Sequence, residues 1–141
     1  MPKVKIDKID QIFSKLVRER VEWTCECCGT YYPEDKRMAL HCSHYYSRRH
    51  QATRYDPDNA FAHCFGCHQR LGGDPGEFYR WYVAKMGEGM EERIKEKSHS
   101  IKKRTKVEKE DLYKHLKEQY KIMLEKRANG EIGRIEFEGY D

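Results

Sequence analysis

The sequence has few apolar residues and contains no long apolar run. Of its 141 residues, 38% are hydrophobic and 37% are charged, and the mean hydropathy is −1.04. A membrane-spanning helix needs about 20 consecutive apolar residues, and no stretch approaches that length. The start, Met1-Pro2-Lys3, does not open a signal-peptide pattern. The sequence therefore predicts a cytoplasmic protein that has no membrane partner and only a small core.

Internal repeats and low-complexity blocks are also absent, and the length fits one domain with a helical extension. A net charge of +4 and a pI near 8.7 give only a mild preference for polyanions. In a reducing compartment, the six cysteines favour metal binding over disulfides. A bound zinc ion would stabilise the small core.

Two pairs of cysteines share the same two-residue spacing, and together they can supply four thiolates to one tetrahedral Zn²⁺. Such an ion would hold the segment between the pairs as a loop, and that segment is rich in histidine. The predicted zinc ligands are Cys25, Cys28, Cys64 and Cys67.

Cys27 competes with its neighbours for a place in this site. We leave it out because Cys25 and Cys28 have the required spacing and Gly29 follows the second thiol. We interpret Cys27 and Cys42 as free buried thiols.

Hydrophobic periodicity and turn signals predict a mixture of helices and short strands. Capping residues indicate helix starts at Asp7, Asp74 and Thr105. The predicted helices cover about 7–22, 64–71, 74–86, 90–97 and 105–127, and the predicted strands cover 38–46, 59–63 and an edge strand within 132–140. The predicted segments are an N-terminal helix (1–22), a zinc-stabilised core (23–97), a basic linker (98–106) and a C-terminal helix with its tail (107–141).

The last helix carries an apolar stripe at 112, 116, 120, 123 and 124. That stripe either packs on the domain or pairs with a second copy, and the sequence leaves both alternatives open. We interpret Trp81 and Tyr82 as core residues.

Three polar residues stand in register with the cysteine pairs. If His44 ends one strand, Asn59 begins the next and His68 opens the following helix, the three side chains converge. A histidine can deprotonate water near neutral pH. A divalent ion beside it would stabilise charge on the phosphorane and on the leaving oxygen. This pattern suits phosphodiester hydrolysis.

The pattern resembles an HNH nuclease with the ββα-metal (His-Me finger) fold and a four-cysteine zinc site. It is most similar to the phage NinG/Rap group of recombination endonucleases, over roughly residues 20 to 97. The resemblance implies an α+β fold with a ββα-metal core and flanking helices. It rests on Cys25-Glu26-Cys27-Cys28-Gly29, His41-Cys42-Ser43-His44-Tyr45, Arg54-Tyr55-Asp56, Asp58-Asn59, Cys64-Phe65-Gly66-Cys67, Leu71-Gly72-Gly73, Glu77-Phe78-Tyr79 and Lys85-Met86-Gly87.

The resemblance also implies residue roles: His44 as general base, His68 as metal ligand and Asn59 as the residue that steadies the loop bearing His44. Phage junction resolvases have a similar His-x-x-His arrangement, which maps to His41 and His44, with a metal-binding aspartate just before the base. Ser43 occupies that position here, so we expect His41, and more weakly Ser43, to complete a Mg²⁺ or Mn²⁺ site.

Basic residues near this centre are candidates for DNA contacts, with a solvated loop and a solvated linker as the alternatives. We interpret His50 and His63 as surface or supporting residues and assign no role to His99 or His115. The candidate DNA contacts are Arg48, Arg49, Arg54, Lys102, Lys103 and Arg104.

The resemblance thus implies a metal-dependent, structure-selective DNA endonuclease of phage recombination type, acting on D-loops and Holliday junctions in a phage-infected or prophage-bearing host. A homodimer fits that function because a four-way junction is cut on two sides, and no small-molecule cofactor is expected. One alternative is an HNH endonuclease for ordinary duplex DNA. The other, motivated by Ser43, is a non-catalytic zinc module that only binds DNA.

Overall fold

The computed structural model describes residues 4–141, apart from the side chain of Arg37. Met1-Pro2-Lys3, where a signal-peptide pattern is missing, lies outside this range. Within it, five α-helices and one two-stranded antiparallel sheet confirm the α+β class. No helix in the described range is long and apolar enough to span a bilayer. The elements are α1 (Lys8–Arg20), β1 (Leu40–His44), β2 (Ala60–Cys64), α2 (Phe65–Gly72), α3 (Pro75–Met86), α4 (Glu88–Ser98) and α5 (Lys106–Ala128).

The predicted helix starts are confirmed by their caps. Asp7 accepts a hydrogen bond from the Asp10 N–H, and Asp10 reciprocates, which forms a capping box at α1. Thr105 and Glu108 form the same arrangement at α5. At α3, the Asp74 carboxylate caps a first turn that contains proline.

The hairpin of β1 and β2 separates two layers of helices. Leu40 pairs with Cys64 and His44 pairs with Ala60. Because side chains alternate along a strand, His44 lies on the opposite face from Ser43. The His44 face packs on the core shared with α1 and α5, and the other face packs on an aromatic cluster of α2, α3 and α4.

The apolar stripe of α5 packs on the domain. Leu112, Leu116 and Met123 are fully buried in the core that contains α1, whereas Leu124 remains 42% exposed. This contact resolves the alternative that the sequence left open for the three buried positions. The segment boundaries at 22, 97 and 106 stay a prediction.

The predicted edge strand in the tail is wrong. Ile135 and Phe137 are buried, so the alternating burial pattern is present, but residues 131–141 form no strand. The Ile135 N–H donates to the carbonyl of Arg20 at 3.0 Å. The tail therefore crosses the end of α1, where the backbone offers one acceptor rather than a strand edge.

Candidate metal centre and histidine cleft

Four thiol groups converge beside the end of β2. The Sγ atoms of the four predicted zinc ligands lie within 4.8 Å of one another, and those of Cys28 and Cys64 are 3.8 Å apart. Zinc–sulfur bonds of about 2.3 Å place tetrahedral ligands about 3.8 Å apart. The donor set and its spacing therefore fit Zn²⁺. The cluster consists of Cys25, Cys28, Cys64 and Cys67.

A tight turn leads from α1 into the loop that carries Cys25 and Cys28, which we call the knuckle (residues 24–31). Glu22 and Trp23 both have positive φ angles, of 53° and 58°, which bulky residues adopt only when the surroundings hold them. The Cys25 N–H then donates to the Thr30 carbonyl at 2.9 Å. Gly29 has a φ of 78°, which glycine adopts without strain, and closes the turn.

Glu26 connects the knuckle to β2 and to two basic side chains. The sequence alone did not mark this residue as part of the site. Its backbone N–H donates to the Ala62 carbonyl, and its carboxylate accepts from the Ala62 N–H, both at 2.8 Å. The same carboxylate, 3% exposed, contacts Lys85 at 3.2 Å and Arg134 at 3.0 Å. No local signal marks these contacts because the partners are distant in the chain.

Cys27 and Cys42 lie outside the four-thiol cluster. Both are free thiols, as predicted, but they are half-buried rather than fully buried. The Arg70 guanidinium donates to Cys27 Sγ at 3.0 Å. Desolvation raises the pKa of Cys42 to about 12, so this thiol stays protonated.

His41, His44 and His68 line one cleft of about 960 Å³ between α1 and the hairpin. The ring centroids of His41 and His68 are 5.0 Å apart. The ring of His44 lies 5.9 Å from that of Phe13 on α1. The fold thus brings the two histidines at the centre of the sequence hypothesis, His44 and His68, to the same cavity.

His44 is held in one tautomer by a backbone contact. Its Nε2 lies 2.9 Å from the carbonyl oxygen of Arg54. A carbonyl only accepts, so Nε2 carries the proton and Nδ1 is the basic nitrogen of the neutral ring. Burial lowers the pKa of His44 to about 4, which leaves the ring neutral near pH 7.

Asn59 joins the two ends of the loop that follows His44. Its side-chain oxygen accepts from the Tyr46 N–H at 2.8 Å. Its amide donates to the carbonyls of Tyr46 and Thr53 at 2.9 and 3.1 Å. A fully buried amide with these three bonds restrains the loop, which is the position that the resemblance implies for this residue.

The donors available to a second metal ion are mainly imidazoles. His68 Nδ1 is buried and has no hydrogen-bond partner within the described part of the chain. Ser43 is 1% exposed and shares the strand face of His41. Imidazole suits first-row transition ions, whereas Mg²⁺ prefers oxygen ligands. The set fits a transition ion better than Mg²⁺, which would have to take most of its oxygens from water and phosphate.

His63 is fully buried, which excludes the surface alternative and leaves its supporting role as a prediction. It is fully buried against the rings of Phe61, Phe78 and Trp81, the last with a centroid distance of 4.7 Å. Burial lowers the pKa of His63 to about 4. Trp81 and Tyr82 belong to the same cluster, which confirms them as core residues.

Two candidate DNA contacts are occupied inside the protein. Arg54 is 6% exposed, and its guanidinium donates to both carboxylate oxygens of Asp10. Arg104 forms an ion pair with Asp141 at 2.9 Å. The structure therefore gives Arg54 a structural contact in place of the phosphate contact expected from the sequence.

The other candidate contacts lie nearer to solvent. Arg48 lines the histidine cleft. Arg49 and Lys103 are exposed, and Lys102 lies 3.6 Å from Asp141.

These features define a small α+β protein with a four-cysteine cluster that could hold a zinc ion and with a histidine-lined cleft. The sequence profile of the family described as Bacteriophage Lambda NinG protein matches residues 3–129. The chain therefore belongs to the NinG family of phage recombination-associated proteins. No curated protein and no solved structure matches it.

Proposed function

We propose that this protein is a metal-dependent DNA endonuclease that hydrolyses phosphodiester bonds in branched recombination DNA, such as D-loops and Holliday junctions. The observation that carries the proposal is that His44 and His68 line one cleft beside the cysteine cluster. Membership of the NinG family supports it. The order β1, β2, α2, with a histidine at the end of β1 and another in α2, supports an HNH-type core.

In this mechanism, His44 Nδ1 accepts a proton from the attacking water, because Nε2 is fixed on the Arg54 carbonyl. Asn59 keeps the loop around this contact in place. A divalent ion held by His68, with His41 as the nearest second donor, would stabilise the charge that develops on the phosphate oxygens. In-line loss of the 3′ oxygen would leave a 5′ phosphate.

Two rival functions are compatible with the same site, and a particular observation favours the second. A nuclease for ordinary duplex DNA would need the same catalytic groups and no branch selectivity. A non-catalytic zinc module that only binds DNA is favoured by Ser43, because a buried serine is a weak ligand where an acidic residue would bind an ion firmly.

One assay separates the three functions. The zinc-loaded protein is incubated with a four-way junction or with a duplex of the same sequence, with Mg²⁺ or Mn²⁺ added. The proposal predicts cleavage of the junction well above that of the duplex, and stronger activity with Mn²⁺ if imidazoles dominate the ion site. Equal cleavage of both DNAs would support the duplex nuclease. Binding without cleavage under both ions would support the zinc module.

A further inference from the structure

One face of α1 forms a wall of the histidine cleft. Gln11, Ser14, Lys15 and Arg18 recur at helical spacing and all line the cavity. The other face of the helix is buried in the core. Arg18, on the cavity side, is anchored to β1, because its guanidinium donates to the Leu40 carbonyl at 3.1 Å. The helix thus presents a polar stripe to the same cavity that the three histidines line.

Lys15 and Arg48 are the basic side chains in this cavity that remain available to a ligand. Lys15 is exposed and Arg48 is half-exposed, and neither forms an ion pair or side-chain hydrogen bond within the residues that the structure describes. Lys15 projects from α1, and Arg48 projects from the loop after β1. Basic groups from two separate elements therefore border the three imidazoles.

The acidic groups of the cleft do not cancel this charge. Asp10 is neutralised by Arg54 at 2.5 Å, and among the described residues of the lining only Glu34 remains as a second carboxylate. Three positively charged side chains line the same cavity: Lys15, Arg18 and Arg48. The cavity is cationic, and the group that reaches His44 for hydrolysis would be a phosphodiester, so a polyanionic backbone is the matching occupant.

We infer that the polar face of α1 is the DNA-contacting wall of the cleft, and that Lys15 and Arg48 bind the phosphates on either side of the bond facing His44. The inference rests on the proposed function in taking this cleft as the DNA site. It assigns the principal phosphate contacts to the N-terminal helix and the loop after β1, rather than to the 102–104 run, where Arg104 is paired with Asp141.

The test is DNA binding as a function of salt, with Lys15→Ala and, as a matched control, Lys114→Ala. Lys114 is an exposed lysine on α5 that does not line the cleft. Binding of labelled junction and duplex is measured by anisotropy between about 50 and about 200 mM salt, without added Mg²⁺ or Mn²⁺. Loss of one phosphate contact should reduce the slope of log K against log salt by about 0.9 for both DNAs, whereas Lys114→Ala keeps the wild-type slope.

Arg48→Ala provides an independent arm, and the double variant should lose about twice the slope of either single variant. Zinc content and thermal midpoint are expected to stay at wild-type values in all variants. Wild-type slopes in both Lys15→Ala and Arg48→Ala would overturn the inference. If the protein cuts no DNA but Lys15→Ala still lowers the slope, the endonuclease proposal is wrong and the DNA-binding role of α1 is supported. If the protein cuts junction DNA but both variants keep the wild-type slope, the binding role of α1 is wrong and the endonuclease proposal is unaffected.

Discussion

Arg54 belongs to the loop after β1, and its side chain reaches the N-terminal helix. Its role depends on a partner far away in the chain. Its guanidinium contacts the buried carboxylate of Asp10, and it also donates to the Lys5 carbonyl at 2.8 Å. In the sequence it belongs to a loop with Arg48 and Arg49, and nothing local distinguishes the three. Only the packing of α1 against the loop shows which arginine is structural.

Removing this guanidinium should destabilise the fold rather than DNA binding. Arg54→Ala leaves Asp10 buried without a partner, so we expect the free energy of unfolding in urea to fall by about 3 kcal/mol. Lys103→Ala, at an exposed site, should change it by less than about 0.5 kcal/mol. Equal small effects of both variants would show that the buried pair is not a stabilising contact.

The same pair predicts a pH dependence. Burial opposes ionisation of Asp10, but the hydrogen bonds and charge of Arg54 prevail and hold its pKa below the usual 3.8. A carboxyl with a depressed folded pKa contributes stability above its unfolded pKa and loses it as pH falls through the folded pKa. The difference in unfolding free energy between wild type and Asp10→Asn should therefore be constant from about pH 7 to about pH 5 and shrink below about pH 4. A difference that grows with acidity would contradict this.

The residues of the cleft and of the elements that support it fall into two groups: those that can be recognised from their position in the sequence, and those that cannot. His44, Asn59 and His68 could be selected because each stands at the expected junction of strand and helix between the cysteine pairs. Lys15 and Glu26 carry no such signal. Their positions are set by the way α1 and the loop around Cys25 and Cys28 pack on the hairpin, which local sequence does not encode.

Among the elements, the hairpin and the capped helices can be predicted from residues close together in the sequence, whereas the structure of the tail cannot. The caps at Asp7 and Thr105 depend on contacts three residues apart, so the sequence suffices to predict them. Ile135 and Phe137 alternate as in a strand, yet their neighbour is the end of α1. Alternation fixes which side chains are buried, whereas strand pairing requires a free edge at the right place.

Packing of α5 on α1 gives a prediction with an internal control. Leu116 is fully buried, so Leu116→Ala should lower the free energy of unfolding by about 2–5 kcal/mol through lost contacts and a cavity. Leu124 is 42% exposed on the same helix, and Leu124→Ala should cost less than about 1 kcal/mol. Similar losses at both sites would contradict the packing of this face of α5 on the domain.

The cysteine cluster should depend on a bound zinc ion for its stability. Cys67→Ser removes one of four clustered thiolates, so bound zinc, measured by elemental analysis, should fall from one ion per chain, and the thermal midpoint should drop by more than about 10 °C. Cys42→Ala, outside the cluster, should keep the zinc content. Full zinc retention in Cys67→Ser would remove that thiol from the ligand set.

At the scale of the whole molecule, the hairpin stands between two separate cores. One core joins α1, α5 and the tail, and the other joins α2, α3 and α4. Tyr45, next to His44, reaches the second core, where its hydroxyl donates to the buried carboxylate of Glu91 at 2.9 Å. The end of β1 is thus held from both sides, by the contact of His44 with the Arg54 carbonyl on one side and by the contact of Tyr45 with Glu91 on the other.

The most direct test of the catalytic cleft is single-turnover cleavage of a four-way junction by His44→Ala, with His99→Ala as the control. His99 is exposed and does not line the cleft. Loss of the base should slow cleavage by at least about 100-fold while junction affinity stays at the wild-type value. His99→Ala should cut at the wild-type rate. Cleavage by His44→Ala at the wild-type rate would contradict the assignment of this histidine as the base.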